Sequence, residues 1–470
     1  MELDFSPLFY PKSVAVYGAK EKRAGYITPF QEFDYQGKLF LISDTEDEIF
    51  GLKCYKSIFD FPDPIDFVII AIRREYVLQA IKDCKTKGVK FVHIFTAGFS
   101  EKDSEGKEIE DKILEVINKE PRGPRIIGPN CMGLYSPEGK LSFGPSFSRE
   151  SGPVGVISQS GALAYRFVYD GMYRGFRFSK LISLGNSIDL SILDFLKYLN
   201  QDPKTKIICI YSEGLPLNMG KSLLNILKNV KKPVIILKGG VSEVGKRAAK
   251  SHTGSIASDL NVWNSIFKQT SAIPVDSLTE LADLALAFSY SDILPTSKKI
   301  ALMSFSGGTS VVQSDLCSKL GIEIPQFTKQ IREEMRKYFP PWVEPQNPLD
   351  LPGTFRKPRM LDIYRSLAQS DFVDSVIIQA PARLADPYWL KIRQRNPNTV
   401  LKYLTDGGEI LREHKKLYFV SCPPSYFYQQ REMIKEHFQT RGFPVFFSVY
   451  DAGRAILKMN QYYLKQIKLA

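Results

Sequence analysis

Histidine is scarce in this chain: there are four in 470 residues, His93, His252, His414 and His437. Cysteine is little used as well. The six cysteines (Cys54, Cys84, Cys131, Cys209, Cys317, Cys422) are scattered, and no pair has the spacing of a metal knuckle or a redox dithiol. That pattern points to free thiols in a reducing compartment, with no metal site. No apolar stretch approaches the length of a membrane span. The N-terminal MELDFSPLFYPKSVAVYG lacks a basic region followed by an apolar run. Neither a membrane anchor nor a signal peptide is expected, and the expected location is cytoplasmic. Basic residues outnumber acidic ones, 63 to 51, for a net charge of +12, yet there is no arginine-rich block and no nucleic-acid module. Solvated helix faces and a nucleotide or coenzyme ligand account for the excess, so neither nucleic acid nor membrane is expected as a partner.

What is present is the composition of a globular chain, 44% hydrophobic and 24% charged, too long for one ordinary core. Short apolar, β-branched runs recur: Ser13–Tyr17, Phe67–Ala71, Phe91–Phe95, Val154–Ile157, Ile207–Tyr211, Val234–Leu237, Ile300–Ser304 and Val373–Gln379. Between most of them lie amphipathic segments such as Tyr76–Lys87, Leu217–Val230 and Leu278–Tyr290. Buried strands alternating with helices predict doubly wound parallel sheets in an α/β fold. Three blocks are expected, residues 1–149, 150–291 and 292–470. In the third, PPWVEPQNPLDLPG reads as a long Pro-rich connection.

In parallel sheets ligands gather at the carboxyl ends of strands, beside helix N-termini, so the strand-to-helix turns are the places to search. VAVYGAKEKRAGY carries Gly18 and Gly25 after a strand, a loose version of a dinucleotide phosphate turn. GVISQSGALAY runs from a strand ending at Ser158 into Ser160-Gly161-Ala162. LMSFSGGTSV repeats the device with Ser306, Gly307, Gly308 and Thr309. Uncovered amides at the positive end of a helix bind phosphate, although serine there is also an ordinary cap. KGGVSEVGKRAAKSHTGSI follows the strand Val234–Leu237 and holds His252 among small residues. It reads as a flexible loop that leaves the imidazole uncrowded, and a neutral imidazole is a competent phosphoryl nucleophile. His93 sits in a strand and reads as packed core; His414 and His437 lie in charged helical contexts and read as exposed. Glu213, directly after the strand ICIYS, can face a ligand and orient an imidazole, or cap the next helix.

The ordered set SVAVYGA, FTAGF, IIGPNCMG, SGPVGVISQSGALA, SLGN, YSEG, KSHTGS, SFSGGTSV, NPLDL and YDAGRA resembles the α subunits of ADP-forming acetyl-CoA synthetases and, more distantly, of succinyl-CoA ligases. The match covers nearly the whole chain. The resemblance implies a Rossmann-like CoA-binding domain followed by two flavodoxin-like domains. It implies that His252 carries phosphate and Glu213 partners it. It sets Ser158, Ser160, Gly161 and Ala162 with Gly307, Gly308 and Thr309 as two phosphate-holding helix starts. It places CoA against Gly18, Ala19, Lys20, Arg73, Ala97, Gly98, Asn130 and Cys131. The implied reaction is acyl-CoA plus ADP plus phosphate giving acid, CoA and ATP, in either direction, on a small acyl substrate.

The departures from the family pattern cluster in the first block. Lys20 follows Gly-Ala where a serine is usual. Ile42-Ser43-Asp44-Thr45 replaces a Val-Asn-Pro-Lys-like strand end. Arg73-Arg74 stands where a small residue and proline are usual. They remove one cation and bring others, Lys20 and Arg73. A divergent or non-catalytic CoA- or acyl-CoA-binding paralogue is the alternative reading. No segment resembles an ATP-grasp module, which the family carries on a β subunit or fuses to this one. The expectation is a separate ATP-grasp β subunit, in an α2β2 assembly, holding ADP or ATP with magnesium.

Overall fold

Buried apolar runs set the architecture. Ser13–Tyr17, Phe67–Ile70 and Phe91–Ile94 are buried at every position, as strands covered on both faces must be. The structure, a computed structural model, describes residues 3–215, 219–253, 260–341, 343–351, 357–392 and 397–469, with only the main chain at 23, 24, 250–253, 357–359, 389, 392, 397 and 398. Residues Met1–Leu281 form one compact unit and Ala282–Ala470 another.

The first unit holds two sheets. The first sheet comprises β1 (Ser13–Tyr17), β2 (Lys38–Ile42), β3 (Glu48–Ile49), β4 (Leu52–Tyr55), β5 (Phe67–Ile70), β6 (Phe91–Ile94) and β7 (Arg125–Ile127), in the order β3-β4-β2-β1-β5-β6-β7. Only the pairing of β3 with β4 is antiparallel. Without β3 this is the strand order of a dinucleotide-binding fold, with its reversal between β1 and β5. The second sheet comprises β8 (Leu134–Tyr135), β9 (Ser151–Ser158), β10 (Phe178–Ser183), β11 (Ile207–Ser212), β12 (Val234–Lys238) and β13 (Ile273–Val275), in the order β13-β12-β11-β9-β10-β8. Its five parallel strands follow the flavodoxin-like order, with the reversal at β9 beside β11.

The two sheets share one core. Phe5 and Phe9, ahead of β1, pack their rings on Phe195 and Tyr198 of the second sheet's helix Ile192–Gln201, at centroid distances of 5.3 Å for Phe5–Phe195 and 4.8 Å for Phe9–Tyr198. Arg125 of β7 grips Asp189 through Nε and Nη2, both at 2.9 Å. Lys180, fully buried in β10, donates to Asp202 at 3.0 Å and lies under the rings of Phe9, Tyr10 and Tyr198.

The second unit carries β14 (Ile300–Ser304), β15 (Leu349–Asp350), β16 (Ser375–Gln379), β17 (Leu417–Ser421) and β18 (Val445–Phe446), all parallel, in the order β15-β14-β16-β17-β18. This is again a flavodoxin-like order.

Some local expectations change. The Pro-rich connection contains β15, anchored by Asn347, whose side chain accepts from Leu302 N and donates to Ile300 O. Two residues are too few for a strand period to show. His437 is half-buried rather than exposed, with Nε2 3.3 Å from Thr405 Oγ1; burial and the Arg441 charge hold its pKa below the usual value. His93 is packed as expected. Its Nε2 lies 3.0 Å from Cys131 O and burial pushes its pKa down to about 4, so it stays neutral at pH 7. All six cysteines are free and buried, and burial raises every one of their thiol pKa values. Among the described residues no helix is long and apolar enough to cross a membrane, and no cluster of His, Cys, Asp or Glu fits a metal ion.

Removing one member of a buried ion pair strands the other's charge, which is worth about 3–5 kcal/mol. Asp202→Ala is therefore expected to lower the unfolding free energy of the first unit, read from urea titration, by that order, and Lys180→Met with Asp202→Leu to recover most of the loss. A stability unmoved by Asp202→Ala would show that the rings alone hold Lys180.

Candidate functional site

The chemistry of the second sheet collects where its strand order reverses. β9 and β11 are neighbours, with Ser158 opposite Tyr211. Ser158, 1% exposed, donates from Oγ to Ser160 O at 2.7 Å and accepts from Ser160 N at 3.2 Å. This latch turns the chain out of the sheet. Ser160 then caps the helix Gly161–Arg174 by accepting from Leu163 N. The amides of Gly161 and Ala162 precede the first intrahelical bond, Ala164 N to Ser160 O, and so have no partner within the helix, the arrangement that can meet an anion. At Gly161 a Cβ would lie 2.4 Å from Met132 Cγ, so a larger residue would have to push the Met132 side chain aside.

Across from this turn stands Glu213, 6% exposed. Its Oε1 accepts from Tyr211 Oη at 3.1 Å. Its Oε2 is buried and has no hydrogen-bond partner among the described residues. Burial and then the Glu213 charge push the Tyr211 hydroxyl up, which keeps it a donor. Lys238, at the end of β12, donates from Nζ to Glu213 O at 2.8 Å and also to Gly239 O. Burial pushes its ammonium down, against the pull of Glu213.

His252 falls in the helix Glu243–Thr253, not in the loop that its small neighbours suggested. Glu243, Lys246, Arg247, Ala248, Ala249 and Lys250 are good helix formers and outweigh the one interior glycine, Gly245. The side chain of His252 lies outside the described residues, as do residues 254–259 of the same segment.

The second unit repeats the latch. Ser304 donates from Oγ to Ser306 O at 3.0 Å and accepts from Ser306 N at 3.3 Å, and the helix Gly307–Leu320 follows. Gly307, Gly308 and Thr309 precede its first intrahelical bond, Ser310 N to Ser306 O. A Cβ on Gly307 would stand 3.0 Å from Asp350 Oδ2; burial pushes the Asp350 carboxyl up. A cavity of about 320 Å³, lined by Ser306, Thr309, Gln379 and Arg383 among others, opens beside this helix start.

In the first sheet the crevice lies between the ends of β1 and β5. Gly18 has φ +80°, and a Cβ there would meet Ala71 O at 2.5 Å. Its amide and that of Ala19 both donate to Ile42 O, at 3.0 and 3.2 Å. These two amides are committed inside the fold, and a 3-10 helix, Glu21–Tyr26, follows in place of an α-helix. Lys20 is partly exposed, and Arg73 is exposed at the N-cap of the helix Arg74–Lys87. Ala97 is exposed. The amides of Gly98 and Phe99 hold the Glu101 carboxylate at 2.6 and 3.1 Å. Asn130 has φ +59°. Cys131 is 3% exposed, with Sγ 3.6 Å from Ile94 O, and its side chain belongs to the core.

Sequence reasoning singled out Glu213 and the two serine–glycine turns but assigned no site role to Gln159, Tyr211, Lys238 or Arg74. Lys238 carried a signal, a charge ending a buried run. Arg74 is the arginine that is tied down, to Asp103, Glu105 and Gly98 O. Gln159 is fixed by contacts across strands that no local pattern reveals.

Two family models match the chain: the CoA binding domain over residues 12–137 and the succinyl-CoA ligase like flavodoxin domain over residues 151–288. The acetate–CoA ligase [ADP-forming] II subunit alpha of Pyrococcus furiosus is 36% identical over 374 residues, 78% of this chain and 80% of the relative. The 4-hydroxybutyrate–CoA ligase [ADP-forming] of Nitrosopumilus maritimus is 35% identical over 79% of this chain, and the chain spans 54% of that relative's length. Among solved structures, the dinucleotide forming acetyl-coenzyme A synthetase 1 of Ca. Korarchaeum cryptofilum, in complex with phosphate and ADP, superposes with a TM-score of 0.84 at 27% identity, over 99% of this chain and 98% of that one. With two matching family models and a relative 36% identical over most of both chains, the chain belongs to the family of ADP-forming acetate– and acyl-CoA ligases.

Proposed function

We propose that this chain is the CoA-binding, phosphohistidine-forming part of an ADP-forming acyl-CoA ligase. The reading rests above all on Glu213. A buried carboxylate, held by Tyr211 on one oxygen and unbonded on the other among the described residues, is a ready acceptor for an imidazole N–H, and it stands at the end of β11, next to β9, which leads into the helix start at Gly161 and Ala162. The carboxylate fixes the tautomer and supports the positive charge that the ring gains on phosphorylation.

Phosphate attacks the thioester carbonyl; the C–S bond breaks and CoA leaves, giving an acyl phosphate. His252 then attacks phosphorus, the bond to the acyl oxygen breaks, and the acid leaves as carboxylate. The phosphoryl group passes from His252 to ADP. The amides of Gly161 and Ala162, in the turn shaped by Ser158 and Ser160, hold the anionic oxygens. The turn Gly307-Gly308-Thr309 is a second anion-binding turn. CoA takes the crevice of the first sheet, beside Lys20, Arg73, Ala97, Gly98 and Asn130. Since Gly18 and Ala19 have committed their amides to Ile42, the two cationic side chains carry more of the pyrophosphate's charge there. The acids named for the relatives, acetate and 4-hydroxybutyrate, support a small acyl substrate. ADP and magnesium belong to an ATP-grasp subunit; no stretch of this chain supplies the glycine loop, lysine and metal-binding carboxylates that nucleotide chemistry requires.

With radiolabelled ATP and an ATP-grasp subunit, the chain is expected to take up acid-labile, base-stable phosphate, and His252→Ala to take up none; label retained in that variant would move the nucleophile elsewhere. Glu213→Gln keeps the shape and removes the charge, so phosphorylation should slow by about 10²-fold, the scale of one lost electrostatic partner. An unchanged rate would leave Glu213 a turn residue. Given acyl-CoA, phosphate and ADP, the purified chain alone is expected to form no ATP. ATP made by a preparation shown by mass spectrometry to be free of any partner would overturn the two-part scheme.

A further inference from the structure

We infer that Gln159 is a positioning residue for this reaction: its amide fixes the turn that presents Glu213 to the anion turn. The inference rests on the phosphohistidine reading above. Gln159 stands between Ser158 and Ser160, the two residues of the latch, yet its side chain reaches across to the end of β11. Its Oε1 accepts from Ser212 Oγ at 3.0 Å, Glu213 N at 2.5 Å and Gly214 N at 3.2 Å, and its Nε2 donates to Gly214 O at 3.1 Å. Two main-chain N–H groups can only donate, so the orientation of the side-chain amide is determined. The main-chain N–H of Gln159 donates to Tyr211 O at 3.2 Å.

The turn has need of this. Ser212 ends β11, and the helix Gly220–Asn229 begins well beyond it. The N–H groups of Glu213 and Gly214 therefore have neither sheet nor helix to pair with, and unpaired buried amides are strongly disfavoured. Gln159 satisfies both with one atom, and so sets the direction in which the Glu213 side chain leaves the strand. Among the described residues, the charged and titratable groups at this turn are Tyr211, on Oε1, and Lys238, on the main-chain oxygen. Neither touches Oε2. The substitution Gln159→Asn would leave the amide one methylene short of the turn. A near-isosteric leucine would lose all four bonds.

The test uses the full chain with an ATP-grasp subunit and radiolabelled ATP. Gln159→Leu is expected to slow phosphorylation by at least about ten-fold, and the double variant with Glu213→Gln should be no slower than Glu213→Gln alone, because the amide acts through the carboxylate. Losses that multiply would overturn the inference and leave Gln159 a structural residue. Gln159→Glu keeps the three acceptor contacts and adds a charge beside Glu213. The acid limb of its rate–pH profile should move up by about one unit, and the move should vanish in the Glu213→Gln background. A profile that stays put, or moves equally in both backgrounds, would overturn the inference even if one of the two variants fails to fold. A wild-type chain that takes up no label would instead overturn the phosphohistidine reading itself.

Discussion

Where the order of a parallel sheet reverses, the turns after two adjacent strands flank a crevice, and the residues there are pinned by the sheet rather than by one another. Each of the three sheets has one such reversal, and the chain's distinctive chemistry collects at them. At β9 and β11 the crevice brings a helix start and a buried carboxylate together. At β14 and β16 it adjoins a second helix start and a cavity. At β1 and β5 it leaves Lys20 and Arg73 at the rim. Strand pairing therefore brings the turns together, and side chains such as Gln159 then settle where the groups on them point.

The serine latch is a small addition to that frame. In both flavodoxin-like sheets a serine two residues before the cap bonds the cap's amide and carbonyl together, Ser158 with Ser160 and Ser304 with Ser306. The hydroxyl does locally what a strand partner would otherwise do, and the first helix amides beyond it lie ahead of the intrahelical bonds. The first sheet does the reverse. There Gly18 and Ala19 give their amides to β2, and positive charge comes from long side chains. A cradle of amides is rigid and suits one phosphate; side-chain cations adapt to a longer, more varied ligand.

The strands and the three-sheet order were legible because strands buried on both faces write continuous apolar runs. The places of Gly161 and Glu213 at strand ends were legible because each follows such a run. The helix around His252 was not. Small residues near a histidine read as loop, while the Glu-Val-Gly-Lys-Arg-Ala-Ala-Lys stretch before it is mostly helix-forming, and the second signal prevailed. β15 was hidden by its length, and by the prolines around it. Gln159 could not be read at all: its four bonds depend on Ser158 and Tyr211 lying opposite each other, a fact of register and not of composition. Cys131, in a motif that matched the family, is core, because the turn points its side chain inward toward Ile94.

The buried cysteines carry a practical consequence. Every thiol is enclosed, and burial disfavours the thiolate in each, while thiolates are what maleimides and spin-label reagents attack. The native chain is thus a quiet background for such reagents, and a cysteine introduced on each compact unit would take a fluorophore pair without first stripping the protein of its own sulfur. The separation of the two units becomes measurable by energy transfer on an otherwise unaltered molecule.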